Sequence, residues 1–210
     1  MELTCRQNPA FTASRLLLTI TAVAGEESLR FVGRIRAIFS KCDAVKIDLN
    51  WQDKQGKTPL FYAVEYGHLK VVQLFLDRGS DIMVENNNGW TALHTAVNAD
   101  RLEVVELILA HPRVVPQKQK LVDAADRSRR TALHIASFKS KEGDMVTLLL
   151  RNGADANAQD ASGNTGMKLA EKTGRRKSKE LLAAVPSVAP PVALAALSAD
   201  ISGGADTERA

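Results

Sequence analysis

A block of residues recurs along this chain at nearly constant spacing, and that recurrence limits the fold more than any other feature. The blocks are Asp53-x-x-Gly56-x-Thr58-Pro59-Leu60, Asn86-x-x-Gly89-x-Thr91-Ala92-Leu93, Asp126-x-x-Arg129-x-Thr131-Ala132-Leu133 and Asp160-x-x-Gly163-x-Thr165-Gly166-Met167. They begin at residues 53, 86, 126 and 160, so the intervals are 33, 40 and 34 residues. A sustained period near 33 describes supersecondary units stacked on one another rather than elements gathered around one closed core.

The residues after each block repeat as well. Ala63, Ala96, Ala136 and Ala170 share one column, and the apolar stretches Leu74-Phe75-Leu76, Leu107-Ile108-Leu109, Leu148-Leu149-Leu150 and Leu181-Leu182-Ala183 share another. The segment 79–86 superposes on 153–160, and residues 47–53 match their second half, which predicts a further unit ahead of residue 53.

Local chemistry turns each unit into two helices. Thr58 can cap a helix, Pro59 suits its first position, and Leu60, Ala63 and Val64 mark one buried stripe at helical spacing. Gly67 ends that helix; a second runs from about Leu69 to Asp77, with Gly79 supplying the left-handed residue beyond it. Helices this short are marginal alone, so each needs its neighbours, and the alanine column lets layers approach closely. His94 and His134 stand three residues after a capping threonine, where a capping box carries Glu or Gln, so a neutral imidazole can reach back to the chain at the cap.

These blocks resemble the ankyrin repeat family. Its T-P-L-H-x-A signature is matched by Thr58-Pro59-Leu60-Phe61-Tyr62-Ala63, Thr91-Ala92-Leu93-His94-Thr95-Ala96 and Thr131-Ala132-Leu133-His134-Ile135-Ala136. Departures stand at Phe61 for His, at Arg129 for Gly and at Gly166-Met167-Lys168 in the last copy. The resemblance covers residues 53–185 directly and 14–52 by weaker analogy. It implies an all-α solenoid of about five helix-turn-helix units with β-turn fingers. The expected units are 14–52, 53–85, 86–125, 126–159 and 160–185, with a lead at 1–13 and a disordered Ala/Pro/Ser/Gly-rich tail at 186–210.

Composition agrees with thin helical layers. Of 210 residues 45% are apolar and only 5% aromatic, so the core is expected from Leu, Val, Ile and Ala. Two cysteines, Cys5 and Cys42, form neither a disulfide framework nor a zinc set and suit a reducing, cytoplasmic setting. The run after Arg15, ending in Ala22-Val23-Ala24, imitates a secretory signal. Its two threonines, its shortness and Glu2 ahead of it favour a buried first helix over export. No apolar run approaches the roughly 20 residues that span a bilayer.

Catalytic signatures are missing: there is no nucleophile elbow, HExxH, P-loop or GxGxxG. Metal binding by His94 and His134 lacks further ligands, since the other histidines are His68 and His111 and the cysteines are remote. No enzyme, cofactor, metal or small-molecule substrate is therefore expected. Charge is uneven: residues 111–141 hold eight basic residues against Asp123 and Asp126, a local charge of +6 beside +4 for the whole chain. An acidic partner surface is the natural counterpart. Nucleic acid is the disfavoured rival, because the patch lacks a reading helix and interleaved stacking rings. Seven extra residues fall within 110–125, where Pro112 and Pro116 stop the preceding helix and an extended loop is expected. The run Lys172, Arg175, Arg176, Lys177 and Lys179 is read as a polar end cap in preference to a nuclear-import signal.

The resemblance further implies protein binding along the finger tips and the concave face of the first helices, at positions the signature leaves free. Here those include Lys54, Lys57 and Tyr66 in one unit, Trp90 in the next, and Arg127, Arg130, Phe138 and Lys139 in the third. Tyr66, Trp90 and Phe138 stand out because aromatic residues carry much of the binding energy at interfaces. Lys57, Trp90 and Arg130 occupy equivalent places and are expected to form one row, with Trp90 as the central anchor and the basic residues around it steering an acidic partner. The expected function is a scaffold, adaptor or regulatory subunit, acting as a monomer. A subunit that occludes an enzyme or an assembly surface, or a secreted effector, would read the same way.

Overall fold

Each block is a finger turn held by its first side chain. In the structure, a computed structural model that describes residues 48–140 and 142–185, Asp53 Oδ1 accepts the amides of Gln55 (2.8 Å) and Lys57 (2.9 Å). Asn86 does the same for Asn88 and Trp90, Asp126 for Ser128 and Arg130, and Asp160 for Ser162 and Asn164. A short carboxylate or amide at the first position is what such a turn requires. The expected lead, the leader-like run, both cysteines, the tail and all but residues 48–52 of the first unit lie outside the described residues, as does Lys141.

Fingers also hydrogen-bond to one another. The Asn87 amide donates to Gln55 O (3.0 Å), Arg127 to Asn88 O (3.3 Å) and Ala161 to Ser128 O (2.9 Å). This contact explains the glycines. A Cβ on Gly56 would stand 2.7 Å from Asn87 Oδ1, and one on Gly89 would stand 2.9 Å from the Arg127 nitrogen. Arg129 breaks the pattern and sits at φ 57° without glycine's freedom. A left-handed non-glycine residue costs about 1–2 kcal/mol, part of which the floppier unfolded chain of a glycine variant gives back. Arg129→Gly is accordingly expected to raise stability by about 0.5–1 kcal/mol, read as a higher urea midpoint.

Behind each finger stand two helices joined by a tight turn, which makes them antiparallel neighbours. They are α1 (Pro59–Tyr66) and α2 (Leu69–Asp77), α3 (Ala92–Asn98) and α4 (Leu102–Ala110), α6 (Ala132–Lys139) and α7 (Asp144–Arg151), and α8 (Gly166–Lys172) and α9 (Arg176–Ala183). A ninth helix, α5 (Lys118–Val122), belongs to the extra residues, and no strand occurs among the described residues. The first helices α1, α3, α6 and α8 pack in one row and the second helices α2, α4, α7 and α9 in another, which is an all-helical repeat solenoid.

The core is one continuous seam through the layers. Leu60, Leu93 and Leu133 are at most 1% exposed, as are all four alanines of the shared column. Met167, which takes the leucine place in the last unit, is 38% exposed. Gly166 replaces alanine where a Cβ would meet Ser137 Oγ at 2.8 Å. The expected boundaries of α1 and α2 stand, including left-handed Gly67 and Gly79.

The extra residues differ from the expected extended loop. They fold as a 3-10 turn (Val115–Gln117) followed by α5, because Val114, Leu121 and Val122 reach the core. The helix α4 does end at Ala110, ahead of Pro112.

Candidate protein-interaction face

The histidines hold the fingers in place. The amide of Thr91 can only donate, and it donates to His94 Nδ1 (3.2 Å), so the proton of the neutral ring resides on Nε2 and points to Arg130 O in the next finger (3.3 Å). His134 repeats the arrangement, with Thr131 N at 3.1 Å and Asn164 O at 3.1 Å. Each imidazole therefore caps its own helix and ties one layer to the next. Phe61, at the same place in the preceding unit, is 1% exposed and gives up the tie for buried apolar surface.

Burial holds the pKa of His94 below its ordinary 6.5, although Arg130 O and the charge of Asp126 act the other way and the Arg130 charge adds to the lowering. The unfolded chain thus takes up this proton first. Stability that is complete above about pH 6.5 is lost as pH falls toward the folded pKa, at about 1.4 kcal/mol per pH unit for this one group. Urea midpoints measured from pH 7 to 5 are expected to fall, and His94→Gln, which keeps a capping side chain, is expected to remove that part of the slope.

The finger-tip side chains divide by exposure. Lys54 and Arg127 are exposed, as is the cation at Arg129, whereas Lys57, Trp90 and Arg130 are half-buried. Lys57 Nζ pairs with Glu65 Oε2 (2.9 Å) and lies 5.1 Å from the Tyr62 ring centroid. Trp90 packs on the core and on the His94 ring, 6.5 Å between centroids, and its Nε1 donates to Asp126 Oδ2 (3.1 Å). Arg130 reaches the same oxygen with Nε (2.9 Å) and Nη2 (2.8 Å). Trp90 and Arg130 thus converge on one carboxylate, while Lys57 turns to its own helix.

Asp126 was legible in the sequence only as turn punctuation, yet it joins two fingers. Burial raises the cost of its charge, but the hydrogen bonds from Arg130 and Trp90 more than offset it and hold the carboxyl below its ordinary 3.8.

At the far ends of the first helices, cations from the next layer cap exposed carbonyls. Arg101 Nε donates to Glu65 O (3.2 Å), Lys139 Nζ to Asn98 O (2.7 Å) and Arg175 Nε to Phe138 O (3.2 Å). Tyr66 and Phe138 project beside these caps, 36% and 53% exposed. The basic run of the last unit is likewise tied down: Lys172 donates to Asn164, Lys177 pairs with Glu142 and Lys179 with Glu171. Among the described residues no helix is long and apolar enough to cross a membrane.

Residues 35–120 and 84–160 match the family model of ankyrin repeats, more than half of the chain together. The chain is 37% identical over 78 residues to Ankyrin repeat domain-containing protein 13B of Homo sapiens, covering 37% of this chain and 12% of that relative. It is 31% identical over 135 residues to Transient receptor potential cation channel subfamily A member 1 of Drosophila melanogaster, covering 64% of this chain and 11% of the channel subunit. It is 40% identical over 65 residues to Ankyrin repeat protein 14 of Vaccinia virus, covering 30% and 27%. The chain thus aligns with only a small part of each relative's length. Repeats of this kind generally serve as non-catalytic modules for protein–protein interaction. The finger turns, the histidine ties, the two helical rows and these matches agree: the chain belongs to the ankyrin repeat family.

Proposed function

We propose that this stack is a non-catalytic binding module, working as a scaffold, adaptor or regulatory subunit, that takes a protein partner with an acidic surface. The observation that carries this reading is the exposure of Tyr66 and Phe138. Both rings lie at the ends of first helices, and neither belongs to the buried core. Lys54, Arg127 and Arg129 supply exposed positive charge along the fingers, and Lys139 supplies it beside Phe138. Lys57, Trp90 and Arg130 belong to the face as braced side chains. Their partners fix their conformers, so little entropy is lost on contact. A monomer in a reducing cytoplasmic setting fits the repeat architecture and the two thiols.

Affinity capture with the full chain, followed by kinetics on the recovered partner, tests the electrostatic part. Arg127→Ala is expected to slow association at low salt and to flatten its salt dependence, with little change in dissociation. A salt dependence identical to that of the parent removes the fingers from the face.

A further inference from the structure

The 40-residue interval puts seven extra residues into the connection 111–125, and residues 111–123 form a strap that touches three layers. At one end His111 Nε2 donates to Asp77 Oδ1 at the end of α2 (3.1 Å), while its Nδ1 accepts the Arg113 amide (3.3 Å). Arg113 continues over the same layer, its Nη1 3.3 Å from where a Cβ on Gly79 would stand. At the other end Gln119 Nε2 donates to Gly153 O (2.8 Å) and Lys118 Nζ to Asn152 Oδ1 (3.4 Å), both just past α7. Between the ends Val114, Leu121 and Val122 are at most 1% exposed, so the inner side of the strap is nailed to the core.

Its outer side is another matter. Val115 is 52% exposed, next to exposed Pro116, with exposed Arg113 and Lys120 before and after it in the chain. Arg151 adds an exposed cation at the end of α7. The single acidic residue of the strap, Asp123, already accepts a hydrogen bond from Gln119 (2.7 Å). The other units connect helix to finger with seven fewer residues. Val115 is the one large apolar side chain exposed on the strap, and Asp77, which accepts from His111 and feels the Arg113 charge, is the acidic group beside its first cation.

We propose that the strap is a second docking surface, on the side of the second helices. It takes an acidic linear segment of another protein that lays an apolar side chain on Val115 and carboxylates on Arg113 and Lys120. A single large exposed apolar side chain, Val115, is too little for the apolar centre of an interface with a folded partner, which selects a linear segment. The two prolines and the buried side chains fix the strap in advance and lower the cost of ordering it. Nucleic acid fits less well, because no exposed ring is present on the strap to stack a base. The proposal stands apart from the finger reading, since it uses different residues on different elements.

Anisotropy titration of the full chain at low salt, with a fluorescein-labelled peptide of six Glu and Asp residues around one central Leu, tests it. Saturable binding is expected. Val115→Ser should weaken it about threefold or more and the double variant Arg113→Glu, Lys120→Glu about tenfold or more, by loss of apolar contact and reversal of charge. Replacing the peptide's leucine with serine should mimic Val115→Ser. Lys168→Ala, an exposed cation on α8 that neither surface uses, should leave this titration unchanged, and circular dichroism melts should show both strap variants folded. The proposal is overturned by no saturable binding to the parent, by strap variants that bind like the parent, by loss on Lys168→Ala alone, or by an oligo-dT of ten nucleotides that binds tighter with the same variant dependence.

Discussion

Leu133→Ala is expected to destabilise the stack by about 3 kcal/mol, within the 2–5 kcal/mol range for a buried leucine truncated to alanine. Leu133 is 1% exposed and lies in the seam that joins α6 to α3 and α8. The layers on both sides are fixed by finger and histidine hydrogen bonds, so the cavity has little scope to collapse. Met167→Ala, in the same column but 38% exposed, should cost about 1 kcal/mol or less. Urea melts of the two variants check the contrast, and near-equal losses would mean that the column is not a shared core.

Asp126→Ala is expected to cost about 3 kcal/mol. It removes two turn hydrogen bonds and a buried charged acceptor for Trp90, each worth roughly 1–1.5 kcal/mol net. The Arg130 pair adds little, because the arginine side chain is 43% exposed and its guanidinium returns to water. Asp126→Asn provides the control. Asn86 shows within this chain that an amide oxygen can hold the same turn, so the asparagine variant should lose only about 1 kcal/mol. The carboxylate's share is present above its unfolded pKa near 3.8 and is lost as pH falls through its lower folded value. The gap between the Asp126→Asn variant and the parent should therefore close in acid.

These two residues also mark what the sequence discloses. Leu133 was readable as core from its column alone, because spacing within a helix and recurrence across units both point inward. The cap role of His94 was readable for the same reason, since Thr91 stands three residues before it on one turn. Trp90 was readable as a ring at a free position, and so as an anchor for a partner, but not as a side chain held by the next finger. Its half-burial depends on how far the next finger lies and on which Asp126 oxygen remains after the turn is made, and both are set by packing between layers. The strap was visible as an excess of seven residues but not as structure, because Lys118–Val122 is too short for periodicity to separate helix from loop. Exposure at Tyr66 and Phe138 likewise emerges only when the layers are assembled.

The binding face proposed for this stack is built on the exposed rings at the ends of the first helices. Its most direct measurement is calorimetric titration of the captured partner against the parent and against the Tyr66→Ala, Phe138→Ala double variant, with thermal melts to confirm folding. Both rings are partly covered, so the double variant should melt somewhat lower while still unfolding in one cooperative transition well above the titration temperature. The double variant is expected to lose about 2 kcal/mol or more of affinity, roughly thirtyfold. A folded double variant that binds the partner as tightly as the parent does would contradict this assignment of the face.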